Sequence, residues 1–429
     1  MTIALPVILL LLFLFVGMPV GFALGVSGLL GLFLAGGIDA VFSTMTTVPF
    51  RTAANYTLTT VPMFILMAQF ISESGIVSEV FAAARRWMER LPGGLAIASV
   101  FASAGVAAMS GSSTASAATM AAVTIPEMKK HGYSVPVAAG VVTVAGTLAI
   151  MIPPSIGLVL YGIITENSIG QLLIAGLIPG VLTALTYVIG ILVWNKVRPG
   201  VMPPTTSRYS WKERLQSLRP LWAFMVLGLI VLGSIYSGLA TPTEAAAVGA
   251  FGALVIPLAR RTMTWAGFKK AIVSTIRITT MIFTIIIGAM IFGYFLTITQ
   301  ATQNLIGLIG ELNAPGWLVL GIIMCLILVL GCMLDQVAIL LITLPLIYPL
   351  VMSLGYDPIW FGVICIKLGE IGLVTPPVGM NAYVVSAAAD VPLEDIFSGI
   401  GMMLVFEFVS MVLLLAFPMI TLWLPSMMF

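Results

Sequence analysis

Apolar runs long enough to cross a bilayer recur from one end of this 429-residue chain to the other. The first, ALPVILLLLFLFVGMPVGFALGVSGLLGLFLAGG, already exceeds the roughly 20 residues that a spanning helix needs. It is too long for a secretory leader, has no basic start and shows no clear small-residue cleavage site, so it is expected to be retained. With 60% hydrophobic and 8% charged residues, the chain reads as an all-α polytopic membrane protein. A net charge of +2 points to no nucleic acid. Cys325, Cys332 and Cys365 lie in apolar stretches and read as small hydrophobes, without a disulfide or metal role.

The few charges set the topology, because basic residues collect in short cytoplasmic loops. Of 18 Lys and Arg, 16 fall in four places: Arg85 to Arg90, Lys129 and Lys130, Lys196 to Arg219, and Arg260 to Arg277. The first two flank an apolar segment, Gly94 to Glu127, that must therefore start and finish on one side. A re-entrant hairpin meets that condition, with its tip at SGSSTAS, Ser110 to Ser116. Non-helical backbone at membrane depth is tolerated only where protein or a watery cavity covers it, so the tip is expected to line a site.

Sliding the chain against itself by 223 residues pairs Pro92-Gly93 with Pro315-Gly316, Pro126 with Pro349, Gly132-Tyr133 with Gly355-Tyr356, and Gly146 with Gly369. It also pairs Pro153-Pro154 with Pro376-Pro377 and Gly176 with Gly399. Composition alone predicts about one Gly or Pro match over this stretch, so the chain reads as a duplication. The second hairpin, with MLDQ at its tip, is flanked by Glu311 and Asp357 and by no basic residue, which places its ends outside. The repeats are then inverted, the pattern of transporters whose broken helices meet near the midplane. A proline inside a helix removes a backbone hydrogen bond and clashes with the preceding turn, and the paired prolines of IPPS and TPPVG are the expected breaks, exposing half-helix ends able to hold ions.

Ten spans are expected, near 4–18, 20–36, 58–76, 134–165, 168–195, 220–238, 242–259, 276–298, 358–387 and 396–425, with both termini outside. The amphipathic stretches VFSTMTTVPFRTAANYTL and TMTWAGFKKAIVSTI are expected along the interface. Scaffold helices and an interfacial arm would occupy 1–93, hairpin 1 and its broken helix 94–165, and a connecting helix with the second scaffold 166–315. Hairpin 2 and its broken helix would occupy 316–387, and a C-terminal helix 388–429.

The GSSTASAATMAAVTIPEM hairpin, the IPPS break, ATPTEAAAVGA at Ala240 to Ala250 and TPPVGMN at Thr375 to Asn381 together resemble the large membrane subunit, M or DctM-like, of tripartite ATP-independent periplasmic (TRAP) transporters. The resemblance covers essentially the whole chain. It implies a sodium-driven, elevator-type importer of organic acids, of the sialic acid or C4-dicarboxylate kind, in the bacterial inner membrane. The implied partners are a small Q or DctQ-like membrane subunit and a periplasmic substrate-binding protein. The small subunit is expected to be a separate chain, since nothing precedes the first repeat.

Sodium ions suit oxygen ligands, and Ser110, Ser112 and Asp335 at the tips, with Glu370 and Thr375 beside the second break, are the candidate donors. Gly146, Gly331, Gly369 and Gly379 are expected to offer backbone carbonyls by allowing close approach. Ser112, Ser113, Thr114, Ser155 and Asn381 are the candidate substrate contacts, whereas Ser116 and Thr119 read as packing residues. Asp335 reads as an ion-path carboxylate or as a helix cap, and Glu370 as a cap or a member of a cation shell. Lys367 could meet a substrate carboxylate, snorkel, or pair with Glu370 one turn on. His131 reads as a solvated loop residue.

Other classes fit less well. Asp335 has no second carboxylate for an aspartyl protease, and the single His lies in a basic loop, away from the serines. No GxxxxGK[ST] offers an ATP site, and paired hairpins do not make a continuous pore. A self-sufficient sodium-coupled carboxylate carrier of related architecture remains the alternative.

Overall fold

The computed structural model describes residues 3–203, 209–311 and 314–428, among which every regular element is helical. α1 (Ala4–Phe15), α2 (Val20–Ala53), α3 (Thr60–Glu73) and α4 (Ile76–Met88) precede a first hairpin of α5 (Gly94–Ser110) and α6 (Ser113–Lys130). The first broken helix is α7 (Val135–Ala145), the single turn α8 (Leu148–Met151) and α9 (Ile156–Thr165). Then come α10 (Ile169–Val197), α11 (Trp211–Leu218), α12 (Trp222–Tyr236), α13 (Pro242–Ala259), α14 (Trp265–Ile298) and α15 (Ala301–Glu311). The second hairpin is α16 (Gly316–Gly331) and α17 (Gln336–Ser353), the second broken helix α18 (Pro358–Val374) and α19 (Met380–Ala389), followed by α20 (Leu393–Ala416) and α21 (Met419–Met428).

Six described helices are long and apolar enough to cross a membrane, and three bent pairs bring the number to nine, against the ten spans expected. α1 has only 12 residues because Gly17 turns the chain at φ +85°, and Pro19 then opens α2. α17, the return limb of the second hairpin, has 18 residues with Pro345 and Pro349 inside it. The C-terminal span is cut at Pro418 into α20 and α21, since proline removes a helix donor. The amphipathic stretch after Gly37 forms a second limb of α2, redirected by that glycine at φ +73°. The other, expected along the interface, is continuous with the span that follows it, as the first part of the unbroken 34-residue α14; Gly267 is the only Gly or Pro in its first five turns, and it lies in the first of them.

Helices cross closely where glycine removes the side chain, the usual device where lipid gives no hydrophobic drive to association. A Cβ on Gly28 of α2 would lie 2.8 Å from Phe292 Cα of α14. Gly140 of α7 faces Gly399 of α20, and Gly331 of α16 faces Gly372 of α18. Toward the basic loops, Arg260 binds Glu79 at 2.7 and 2.9 Å, and Lys270 binds Glu73 at 2.7 Å. His131 is not the freely solvated residue expected: it is half-buried between Arg85, 2.9 Å from Nε2, and the Glu127 carbonyl, 2.9 Å from Nδ1. Arg85 also pairs with the Glu127 carboxylate.

Candidate functional site

Both hairpin tips converge on both breaks. Gly111, at φ +60°, turns the first tip, and a Cβ there would stand 2.8 Å from the Pro154 carbonyl. Ser112 is extended and opens α6, its hydroxyl 3.4 Å from that of Thr114. The Ser113 hydroxyl accepts from Asn381 Nδ2 at 2.6 Å, joining the first tip to α19 across 268 residues of sequence. At the second tip, Asp335 caps α17 by accepting from the Ala338 N–H at 2.7 Å, while Gly379 N–H donates to the Cys332 carbonyl at 3.2 Å. Gln336, next to Asp335, lays its amide against Gly369 of α18, and its stem approaches Gly157 at the start of α9.

A cavity of about 340 Å³ lies between the tips. Its walls are residues 110–116 and 335–337 of the tips, Gly157, Leu373 and Met380 beside the breaks, and Ile65, Gln69 and Ser72 of α3. Ile278, Met281 and Ile282 of α14 close the remaining side. An apolar pocket with a few convergent polar groups is the usual form of a small-molecule site. Among its lining residues the charged side chain is Asp335.

Of the candidates, Ser110, Ser112, Ser113, Thr114 and Asp335 line this cavity, as do Ser116 and Thr119, expected only to pack. The buried Ser110 and Ser116 hydroxyls have no hydrogen-bond partner in the protein, whereas Thr119 bonds the Ala115 carbonyl. Asn381 stands behind the lining, through Ser113. Ser155 is buried as the N-cap of α9, accepting from Leu158 N–H at 3.2 Å, and Thr375 bonds its own helix at Ile371. A Cβ on Gly146 would meet Ala117 of α6 at 2.7 Å, and one on Gly331 would meet Gly372 at 3.1 Å. Gly369 makes room for Gln336, and Gly379, at φ +60°, opens α19.

Glu370 lies elsewhere, in a fully buried cluster behind the breaks. Lys367 Nζ is 2.7 Å from Glu407 Oε1, 3.6 Å from Glu370 Oε2 and 3.2 Å from Thr183 Oγ1. Tyr187 donates to Glu407 and lies 3.0 Å from the Thr147 hydroxyl. The Lys367–Glu370 pairing was one of the sequence alternatives. Glu407 was missed, although a lone acid in LVFEFVS is the kind of signal that marks a buried partner. Gln336, Gln69 and Ser72 were also missed; Gln336 was signalled only by standing next to Asp335.

Removing either side of the Ser113–Asn381 bond should weaken the contact between hairpin 1 and α19. Ser113→Ala and Asn381→Ala, compared singly and together by thermal melting in detergent, should show a coupling of about 0.5–3 kcal/mol. Strictly additive losses would mean that the bond contributes nothing.

A helical membrane protein in which two hairpin tips and two broken helices enclose one cavity has the architecture of a membrane transporter. Residues 7–420 match the family described as tripartite ATP-independent periplasmic transporter, DctM component. The C4-dicarboxylate TRAP transporter large permease protein DctM of Pseudomonas aeruginosa is 38% identical over 379 residues, covering 88% of each chain. The sialic acid TRAP transporter large permease protein SiaM of Vibrio cholerae is 32% identical over 415 residues, covering 96% of each. In fold the chain is similar to the YdaH transporter of Alcanivorax borkumensis, with a TM-score of 0.58 at 15% identity over 96% of this chain and 98% of that one. The chain belongs to the DctM component family of TRAP transporters and is a multi-pass protein of the bacterial inner membrane.

Proposed function

We propose that this chain is the large membrane subunit of a sodium-coupled importer of organic acids, of the C4-dicarboxylate or sialic acid kind, that receives its substrate from a periplasmic binding protein. The observation that carries the reading is the cavity lined by both tips, with Asp335 on one side and the Ser110 to Ser116 hydroxyls on the other. Carboxylate and hydroxyl oxygens suit a hard cation, and a cation at the tips would in turn attract a substrate carboxylate into a cavity whose own charge is the Asp335 carboxylate. The family description, a component of a tripartite transporter, supports a small membrane subunit and a binding protein as partners.

The two repeats are inverted, and hairpins with broken helices form the moving unit, residues 94–165 and 316–387. The remaining helices form the scaffold. α3 and α14 close the cavity from the scaffold side, so sliding the unit past them would open it to either face, an elevator motion.

In proteoliposomes holding this chain, its small subunit and loaded binding protein, uptake should require a sodium gradient. A membrane potential should add about 2.3 kcal/mol per 100 mV for each net charge carried. Undiminished uptake with sodium replaced by potassium at a fixed proton gradient would remove sodium from the account. Saturable uptake by this chain alone would favour the self-sufficient carrier.

A further inference from the structure

α11 is a short helix that takes no part in the cavity, yet it is firmly built. Ser210 and Glu213 close a capping box at its start, and one face packs on α4. There the Trp87 indole donates to the Arg214 carbonyl at 3.2 Å, the Trp87 and Trp211 rings meet edge-on at 6.2 Å, and Arg214 and Ser217 are buried. At about 100° per residue, the remaining positions sort by chemistry around the helix. Trp211, Leu215 and Leu218 form an apolar stripe beside the packed face, Lys212 and Arg219 line its outer edge, and Glu213 lies on the far side, engaged in the cap. Trp211 and Leu215 are 66% and 61% exposed, and Trp222, where α12 begins, is 63% exposed. Lys212 and Arg219 are exposed as well. Among the described residues no ion pair joins either of them to an acid.

We propose that α11 is a docking surface for anionic phospholipid: Trp211, Leu215 and Trp222 enter the boundary between headgroups and acyl chains, and Lys212 and Arg219 hold the lipid phosphates. An exposed apolar stripe edged by bases is the form of a helix that lies in the membrane interface. α11 leads, through a bend of 54°, into α12, whose exposed Met225, Val226, Leu229 and Ile230 continue the apolar surface along a span. The lipid that surrounds α12 is therefore at hand for α11. The basic loops belong to the cytoplasmic side, where anionic headgroups attract bases held close to the surface. A protein covering the stripe would have to bring acids to meet Lys212 and Arg219, whereas an anionic lipid supplies a phosphate next to every acyl chain.

The position of α11 gives such a lipid something to act on. α4, on which α11 packs, also binds α13 through Glu79 and Arg260 and the end of hairpin 1 through Arg85 and Glu127. Just before α11, Tyr209 accepts from Arg90 at its carbonyl at 3.5 Å, and its ring lies 5.8 Å from the Arg86 guanidinium. A lipid held on the outer side of α11 thus steadies the helix that leads into hairpin 1. The inference depends neither on the acid carried nor on sodium.

Quenching by brominated lipid tests this in proteoliposomes holding the full-length chain, with Cys325, Cys332 and Cys365 replaced. A bimane on Leu215→Cys should be quenched severalfold more by brominated phosphatidylglycerol than by the same fraction of brominated phosphatidylcholine, and the excess should shrink as salt screens the headgroup contact. A bimane on Leu229→Cys, exposed on α12, should be quenched equally by the two lipids, which shows that the chain is inserted. Adding Lys212→Gln and Arg219→Gln together should bring the two lipids level at Leu215→Cys while leaving the phosphatidylcholine quenching in place. Equal quenching by the two lipids at Leu215→Cys before the bases are replaced, or an excess that survives their replacement, would overturn the proposal. So would an unquenched Leu215→Cys beside a quenched Leu229→Cys, since water or another protein would then occupy the face.

Discussion

Lys367→Met should lower the stability of the folded chain by about 3–5 kcal/mol, the usual cost of removing one partner from a buried ion pair. The side chains of Lys367, Glu370 and Glu407 are wholly buried, so no solvent is at hand to take over the lost charge. The cluster also joins three helices, α10 through Thr183 and Tyr187, α18 through Lys367, and α20 through Glu407. Thermal melting in detergent should therefore show a large fall for the single variant. The double variant Lys367→Met with Glu407→Leu should recover most of it, because an apolar replacement for a buried pair is often neutral or stabilising. A small loss in the single variant would mean that the pair is held loosely or reached by water.

Gly399→Val should cost about 3 kcal/mol or more, at the upper end of overpacking effects. A Cβ at Gly399 would overlap the Pro136 carbonyl and stand 3.1 Å from Gly140 Cα, so the obstacle is the backbone of α7 and not a side chain that can turn away. The crossing also sets where α7 delivers the first break. Gly401→Val, two residues on in the same helix, meets nothing within 4 Å and should be nearly neutral apart from the lower helix propensity of valine. Equal losses at the two positions would show that the close crossing is not what fixes α7 against α20.

The parts of this fold that can be read from the chain are those with local causes. Pro153-Pro154 and Pro376-Pro377 stand at helix ends because two successive residues without an N–H remove two ladder donors together, whereas the isolated Pro345 and Pro349 are carried within α17. The placement of basic loops forced a hairpin over Gly94 to Glu127, and the tip residues of both hairpins do meet at one cavity. What could not be read depends on the register between distant helices. Lys367 finds Glu407 on α20, Asn381 finds Ser113 across the molecule, and Gln336 fits only because Gly369 is bare. Where local signals conflicted, continuity won. The amphipathic stretch from Thr262 to Ile276 reads apart from the span that follows, but nothing between Phe268 and Ile287 stops a helix, so one helix runs through both.

The claim that the cavity between the tips takes substrate together with sodium is tested most directly by protection of a single cysteine there. Met281 of α14 lines the cavity opposite the tips and belongs to none of the candidate ligands. Met290, on the same helix, is exposed and lies outside the cavity lining, and serves as control. With Cys325, Cys332 and Cys365 replaced, the rate at which a maleimide labels Met281→Cys should fall severalfold when sodium and the transported acid are both present. It should not fall with the acid in potassium, nor in Asp335→Asn, and Met290→Cys should not respond. Unchanged labelling of Met281→Cys in a protein that still takes up its substrate, or equal protection in potassium, would contradict the account.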